Sequence, residues 1–254
     1  KYRLIFIALV KNQVYTYFMK KITITFANDE NILVESGILA EDALKNHIAT
    51  DKKVLAAKIN NEICSLTTQI DINATIEPIY LGTKEGSTIY RRSLCFLLAA
   101  AARKCFSENR LLIGHSLGYG FYYTVEKDTA LTQKDIDLLK EEISSIIKQN
   151  LPINTDVISY NDAINLFKEA YQIQTYKQLF FNCPSKLTIN TMDNFSDLYY
   201  GPLVPSSGYI NLFDIKLYGD GFLLQFPSTA NTDKLAEFED IPQLFNVYSR
   251  YKKW

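Results

Sequence analysis

Residues 195–218 read FSDLYYGPLVPSSGYINLFDIKLY, and this stretch decides the fold. Gly201 joins Pro202, and Pro205 follows three residues later, which predicts a turn within a loop. The segment Tyr209–Tyr218 then alternates polar with apolar residues over its second half. A period of two is typical of a strand with one buried face. The stretch therefore predicts a loop that leads into a β-sheet.

The region around this loop predicts a mixture of helices and short strands. A helix over Ile89–Phe106 places its leucines and an alanine on one face. Two more helices are expected after the capping sequences Thr132–Asp135 and Ser159–Asp162. A Gly-rich turn is predicted at His115–Gly118. The predicted strands are Leu111–Gly114, Tyr119–Val125, Leu179–Asn182, Lys186–Ile189 and Phe222–Phe226.

Residues 20–84 predict a smaller unit. Lys20–Phe26 and Ile32–Glu35 flank a polar turn and predict a hairpin. Ser36 is expected to cap a short helix that ends near His47. The further predicted strands are Val54–Asn60 and Ala74–Tyr80. Helices and strands thus occur in both halves, and the predicted fold class is α+β.

Composition excludes several classes of protein. The chain has 254 residues, 47% hydrophobic and 22% charged, with a net charge of −1. These values are typical of a globular protein and exclude an intrinsically disordered one. A charge so close to zero supplies no field to attract nucleic acid or an anionic membrane. The four cysteines are scattered and only two histidines occur, so the sequence argues against a structural zinc site.

Residues 1–18 are interpreted as an N-terminal extension that need not be native. Leu4–Val10 is apolar but far shorter than the roughly 20 residues that span a bilayer. No small-residue cleavage site follows it. Met19 precedes the first clean strand, and we expect it to be the natural start. The chain is predicted to be cytoplasmic, with no membrane partner.

The order of these elements resembles two domains of threonyl-tRNA synthetase. Residues 20–84 resemble its TGS domain, a small β-grasp module. Residues 86–230 resemble its second additional domain, an editing fold that alanyl-tRNA synthetase shares. The segments that carry the resemblance are Ser93–Ala99, Ile113–Tyr123, Ile158–Ala163 and the Gly201-Pro202 loop. The resemblance implies an α+β protein with a β-grasp TGS domain followed by a synthetase-like α+β domain.

The metal-ligand positions of that editing fold are altered here. The family carries a His-x-x-x-His pair and a Cys-x-x-x-His pair, the second within the pattern C-x-G-P-H-x-P. The first pair falls on Arg92 and Phe96, and the second on Tyr199 and Leu203. Phenylalanine and leucine have no metal-binding atom, and arginine is a permanent cation that repels a metal. The resemblance therefore implies the fold without its metal site or its editing hydrolysis.

A second resemblance is to bacterial uridine kinase-like proteins, which carry TGS and synthetase-like domains ahead of a P-loop kinase domain. Residues 231–254 resemble the connector helix into that kinase domain. No G-x-x-x-x-G-K-[ST] phosphate-binding loop occurs in the chain. The chain is thus expected to need no cofactor, and ATP and Mg are implied only for a missing kinase domain, the expected partner. The matching segments are Tyr90–Leu94, Gly114–Ser116, Tyr200–Pro205, Leu212–Asp214 and Gly221–Leu224.

Five residues are candidates to line a cleft at the former metal site: Arg92, His115, Tyr119, Tyr199 and Tyr200. Arg92 could hold a phosphate or carboxylate, although a solvated or salt-bridged arginine is the favoured interpretation. For His115 a structural hydrogen bond is favoured over a place in the cleft. The two tyrosines could stack on a nucleoside base, but filling the volume left by the lost ligands is favoured.

The leading hypothesis is a non-catalytic regulatory region that senses a ligand or RNA at the N-terminus of a uridine kinase-like nucleoside kinase. The parent protein would phosphorylate a nucleoside with ATP. The alternative is a stand-alone RNA-binding or adaptor protein, against which the near-zero charge counts. A third hypothesis, a trans-acting aminoacyl-tRNA editing hydrolase, requires ligands that the chain lacks. The expected ligand is a small molecule or an RNA.

Overall fold

The computed structural model describes residues 4–10, 13–18, 20–48, 52–107, 109–117, 120–169, 173–238, 240 and 242–252. The chain divides into two compact units, Lys1–Tyr80 and Leu81–Trp254. Each unit combines helix and sheet, which agrees with the predicted α+β class. Of the helices in these described ranges, none is long and apolar enough to cross a lipid bilayer.

The first unit is built mainly from strands. Its elements are β1 (Leu4–Val10), β2 (Gln13–Phe18), β3 (Lys21–Phe26), β4 (Asn31–Glu35), β5 (Ile38–Leu39), α1 (Ala40–Leu44), β6 (Val54–Ile59), β7 (Glu62–Cys64), β8 (Gln69–Ile70) and β9 (Ala74–Tyr80). Strands β1 and β2 form an antiparallel pair inside the stretch interpreted as an extension. Met19, the expected start, lies outside the described residues.

A five-stranded mixed sheet holds the core of the first unit. Its strand order is β4-β3-β9-β6-β7, with β3 parallel to β9 and the other neighbours antiparallel. Ile22, Ile24 and Phe26 alternate along β3 and are all buried. This is the period of two that predicted the strand, and the predicted hairpin with β4 is confirmed.

The predicted cap of the first helix is wrong. Helix α1 begins at Ala40 after Leu39, which provides no side-chain cap. The Ser36 hydroxyl instead donates to the Asp71 carbonyl at 3.2 Å. Ser36 therefore ties the end of β4 to a distant loop, a long-range contact that local capping rules do not include.

The second unit contains two antiparallel sheets and most of the helical residues of the described chain. Its elements are α2 (Lys84–Cys105), β10 (Arg110–Leu117), β11 (Gly120–Glu126), α3 (Gln133–Gln149), β12 (Asn154–Ser159), α4 (Tyr160–Glu169), α5 (Ile173–Asn182), β13 (Lys186–Met192), β14 (Phe195–Leu198), β15 (Asp214–Tyr218), β16 (Gly221–Gln225) and α6 (Pro242–Lys252). One sheet has the order β10-β11-β16-β15 and the other β12-β13-β14.

Local capping signals position the helices of this unit. The Asp135 backbone N–H donates to the Thr132 hydroxyl at 3.3 Å, and the Thr132 N–H donates back to the Asp135 carboxylate at 2.8 Å. The predicted capping box is therefore confirmed. The Asp162 N–H likewise donates to Ser159 at the start of α4. Helix α2 begins earlier than predicted because Thr83 caps it, accepting from the Gly86 N–H at 3.0 Å.

Two predicted elements of this unit are wrong. Leu179–Asn182, predicted as a strand, is the last turn of α5. A run of only four residues, most of them apolar, is compatible with either a strand or a helix. Here the helix forms, and its buried Leu179 packs in the cluster that includes Phe167 of α4. The predicted turn at His115–Gly118 is also displaced, because β10 continues to Leu117 and its register shifts between Ile113 and Ser116.

The strand predicted at Tyr209–Tyr218 begins only at Asp214. Its first residue instead ends a 3₁₀ turn over Ser207–Tyr209. The reason lies in the buried Tyr90 of α2, whose hydroxyl accepts from the backbone N–H groups of Asn211 and Leu212 at 3.1 and 2.8 Å. These two N–H groups bind a side chain, so they are not available to a strand ladder.

Candidate functional site: an arginine–tyrosine cluster

Helix α2 presents the first half of the site. Arg92, Cys95 and Phe96 are spaced three and four residues apart, so they lie on one face of the helix. The Phe96 ring is 0% exposed, while Arg92 and Cys95 are half-buried. One face thus combines a cation, a thiol and an aromatic ring.

Ser93 fixes the loop that carries the second half. Its hydroxyl donates to the Ile89 carbonyl at 2.8 Å and accepts from the Val204 N–H at 3.0 Å. Leu203 and Val204 are both buried. Leu203, which stands where the resemblance predicts a lost metal ligand, therefore belongs to the core and not to a polar site.

Arg92 lies directly against the Gly201-Pro202 turn. Its guanidinium donates from Nη1 to the Pro202 carbonyl at 3.1 Å. Gly201 has a φ of +103°, and a Cβ at that position would lie 2.7 Å from Nη1 of Arg92. The turn therefore requires glycine both for its backbone conformation and for the close approach of the arginine.

We expect Gly201→Ala to lower the free energy of unfolding by about 2 kcal/mol, since the new methyl group is strained at this φ and displaces Arg92. Gly82→Ala is the matched control, because Gly82 lies in the same unit at the same φ of +103°, with its nearest neighbour 3.3 Å from the added Cβ. Urea unfolding of both variants measures the difference. Equal losses would show that Arg92 is not held against the turn.

Tyr199 joins the two halves of the site. Its ring packs edge-on against Phe96, with ring centroids 5.6 Å apart. Phe195, four residues earlier, also packs against Phe96 at 5.2 Å. Two aromatic residues from β14 and its loop therefore cover the helix position where the family has a histidine.

Asp197 lies between these two aromatic residues. Side chains alternate along a strand, so Asp197 lies on the same face of β14 as Phe195 and Tyr199, toward α2. It is half-buried, and its carboxylate accepts from the Leu198 N–H at 2.8 Å. Across the ladder it is paired with Asn190 of β13, which is fully buried. The site thus gains a carboxylate and an amide.

Burial sets the protonation of the cluster. It raises the pKa of the Cys95 thiol and of the Tyr123 and Tyr199 hydroxyls, and the Tyr123 hydroxyl donates to the Cys95 sulfur at 3.1 Å. These three groups therefore stay protonated at neutral pH. Burial lowers the pKa of Arg92, but a guanidinium stays charged. Asp197 differs, since burial raises its pKa to about 6.

The Asp197 carboxylate should make stability depend on pH. Its pKa is higher in the folded chain than the value of about 3.9 expected unfolded, so the folded state takes up the proton first as pH falls from 7 to 4. Stability should therefore rise over that interval. We expect Asp197→Asn to stabilise the chain by about 1–3 kcal/mol at pH 7.5, with the gain disappearing near pH 4.

Chemical denaturation at both pH values measures this effect. Asp156→Asn is the control, since Asp156 is exposed on β12 of the same sheet. It should change stability little at either pH. An Asp197→Asn variant no more stable than the parent at pH 7.5 would contradict the buried-carboxylate interpretation.

The structure brings together some of the predicted site residues and not others. Arg92, Phe96 and Tyr199 meet in one cluster, in which the charge of Arg92 partly offsets the rise in the pKa of the Tyr199 hydroxyl caused by burial. Tyr200 is 88% exposed and turns away from the interior. His115 is exposed on β10. Tyr119 lies outside the described residues.

Several residues of the cluster were missed by the sequence prediction. They are Asn190, Asp197, Cys95 and Tyr123. Asp197 has a recognisable signal, because it stands two residues before Tyr199 and shares its face if the segment is a strand. Asn190 has no such signal, since only the register of β13 against β14 places it here.

The residues of the cluster do not fit a metal ion. In the described part of the chain, no three His, Cys, Asp or Glu side chains come together as a metal site. Arg92, Phe96 and Leu203 offer no lone pair, and the Tyr199 hydroxyl stays protonated. What the cluster offers is a fixed cation, a carboxylate, an amide and aromatic surface, which suits binding by hydrogen bonds and stacking.

Comparison with known proteins places this geometry in context. The chain is 32% identical over 185 residues to threonine–tRNA ligase of Thermoplasma volcanium, which covers 72% of this chain and 27% of that protein. The corresponding enzymes of Streptococcus equi subsp. zooepidemicus and Clostridium tetani are 31% and 33% identical over 199 and 193 residues, or 76% and 74% of this chain. No protein-family model matches.

The chain spans less than a third of the length of these relatives, between 27% and 30%. The similarity nevertheless extends over 72–76% of this chain, at 31–33% identity to the three relatives. It agrees with the resemblance that the Gly201-Pro202 loop first indicated. The chain therefore carries a region related to threonyl-tRNA synthetase.

Proposed function

We propose that the second unit is a non-catalytic, ligand-sensing form of the synthetase editing fold. The observation that carries the proposal is the replacement of all four ligand positions by residues that pack together or against the loop. Phe96 and Tyr199 are in ring contact, Leu203 is buried, and Arg92 binds the Pro202 carbonyl. Substitutions that pack as a group support a cluster with a new role.

Arg92 is the residue we propose to recognise an anionic part of the ligand. Within the described ranges, no carboxylate forms an ion pair with Arg92, and the guanidinium donates to a neutral group, the Pro202 carbonyl. A half-buried guanidinium retains several N–H donors in a planar fork, a geometry that suits phosphate or carboxylate. Because Arg92 lies against the Gly201-Pro202 turn, its positive charge lies beside Tyr199.

We further propose that the chain acts as the N-terminal regulatory region of a uridine kinase-like nucleoside kinase, with the first unit as a TGS domain. The mixed order of its sheet, with the first core strand β3 parallel to the last strand β9 at the centre, supports a β-grasp module. The parent protein would phosphorylate a nucleoside with ATP. The coding sequence beyond Trp254 tests this, and its ending there without a kinase domain would remove the proposal.

Thermal stabilisation of the chain by added ligands tests the sensing role. The probes are uridine, uridine monophosphate, inorganic phosphate and uncharged tRNA. We expect at least one small molecule to bind saturably and to bind at least tenfold more weakly to Arg92→Gln. Arg110→Gln is the control, since Arg110 is 46% exposed beside Glu126. Salt-dependent binding of tRNA alone would instead favour the RNA-binding adaptor.

A further inference from the structure

Asn190 of β13 has a buried donor that no described residue satisfies. The residue is 0% exposed, and its Nδ2 atom has no hydrogen-bond partner in the described part of the chain. The other arm of the same amide is satisfied, because the Thr155 hydroxyl donates to Oδ1 at 2.8 Å. Leaving a buried amide N–H unpaired costs about 1–3 kcal/mol, so such a group needs a physical explanation.

The sheet register shows which residues flank the Asn190 side chain. Thr155, Asn190 and Asp197 are direct partners across β12, β13 and β14, so their side chains form one row on one face. Thr155 holds Oδ1 on the β12 side. The two arms of an amide diverge from the same carbon, so Nδ2 lies away from Thr155, and Asp197 is the next residue of the row on the β14 side.

This row belongs to the same face as the aromatic cluster. Phe195 and Tyr199 flank Asp197 on β14 and its loop, and both rings contact Phe96 of α2. The opposite face of the sheet is apolar and packs on α4 and α5 through Ile189 and Leu198. The donor and the carboxylate thus lie beside aromatic surface, on the side of the sheet that faces the proposed sensing site.

We infer that Asn190 and Asp197 together bind an amide or imide edge, in which a carbonyl oxygen lies beside an N–H group. The Asn190 Nδ2 donates to the carbonyl, and the Asp197 carboxylate accepts from the N–H. This inference rests on the proposed ligand-sensing function and specifies the ligand. The edge occurs in a primary carboxamide, such as that of glutamine, and in the imide of a pyrimidine base, such as that of uridine.

Other ligand groups fit this pair less well. An anionic group would accept from Asn190 but would be repelled by the Asp197 carboxylate. An ammonium group would pair with Asp197 but would leave the Asn190 donor unsatisfied. A group that offers only an acceptor, such as an ester, would leave the carboxylate without a donor. A hydroxyl group donates and accepts through one oxygen, whereas an amide or imide edge offers a separate donor and a separate acceptor, one for each side chain.

Titration of the full chain with matched ligand pairs tests the inference by calorimetry. Uridine is compared with 3-methyluridine, whose methyl group removes the imide N–H. Glutamine is compared with glutamate, which replaces the carboxamide by a carboxylate. We expect one parent ligand to bind saturably and its partner to bind at least tenfold more weakly. The pair that responds identifies the source of the edge.

Two variants complete the test. Asn190→Leu removes the donor at similar volume and should weaken the responding ligand at least tenfold. Asp156→Asn, on the exposed part of the same sheet, should leave binding unchanged. The comparison of ligand pairs uses the unmodified chain, so it stands even where Asn190→Leu does not fold.

The outcomes separate this inference from the function on which it rests. Saturable binding without a difference between the two members of either pair would overturn the inference. Phosphate binding that depends on Arg92, without any response in either ligand pair, would also overturn it and leave the sensing function intact. No saturable binding by any of these small molecules would overturn both.

Discussion

Phe96→Ala should lower the free energy of unfolding by about 3–5 kcal/mol. The Phe96 ring is 0% exposed and lies 5.2 and 5.6 Å from the rings of Phe195 and Tyr199, measured between centroids. Truncation would leave a cavity between α2 and the segment that carries Phe195 and Tyr199, and it would remove both aromatic contacts. The loss would be large because two elements of the site are held by this one ring.

Urea or guanidinium unfolding measures the effect of Phe96→Ala. Phe181→Ala is the matched control, since Phe181 is 92% exposed at the end of α5. Its loss should stay within about 0.5 kcal/mol. A cost of less than about 1 kcal/mol for Phe96→Ala would show that the ring does not hold α2 against Phe195 and Tyr199.

Tyr90→Phe has the second largest expected effect, about 2–4 kcal/mol of unfolding free energy. The Tyr90 hydroxyl accepts from the Asn211 and Leu212 N–H groups and donates to the Leu212 carbonyl at 2.9 Å. Removing one oxygen leaves two backbone N–H groups without their acceptor. The ring itself is unchanged, so the loss measures the hydrogen bonds alone.

Hydrogen exchange and chemical denaturation check this prediction together. The Asn211 and Leu212 amides should exchange faster in Tyr90→Phe, because their acceptor is gone. Tyr200→Phe is the control, since Tyr200 is 88% exposed and its hydroxyl faces solvent. Unchanged protection of both amides would contradict the role assigned to Tyr90.

Local signals in the sequence predicted part of the fold correctly. The capping box at Thr132 and the alternation along Lys21–Phe26 are determined by neighbouring residues, and both are confirmed. The element at Leu179–Asn182 was wrong because a short apolar run is compatible with either a helix or a strand. Strand β12 was not predicted, because its sequence shows no clear alternation, and five of its six residues are exposed and the sixth is half-buried.

The sequence predicted only those residues of the candidate site that lie at the spacing of the family motif. Arg92 and Tyr199 follow from the spacing of the family ligands, and the structure brings them together. Asn190 joins the site through the pairing of β13 with β14, which depends on the register of the whole sheet. Tyr200 was predicted to line the cleft but is exposed, because adjacent residues on an extended segment point in opposite directions.

Our main proposal is that this synthetase-like fold binds a ligand and does not hydrolyse aminoacyl-tRNA. The most direct test is deacylation of a mischarged aminoacyl-tRNA by the full chain, with and without added zinc. An editing-active threonyl-tRNA synthetase serves as positive control. We expect a rate equal to that of buffer alone. Hydrolysis well above buffer that disappears in Arg92→Ala would contradict it.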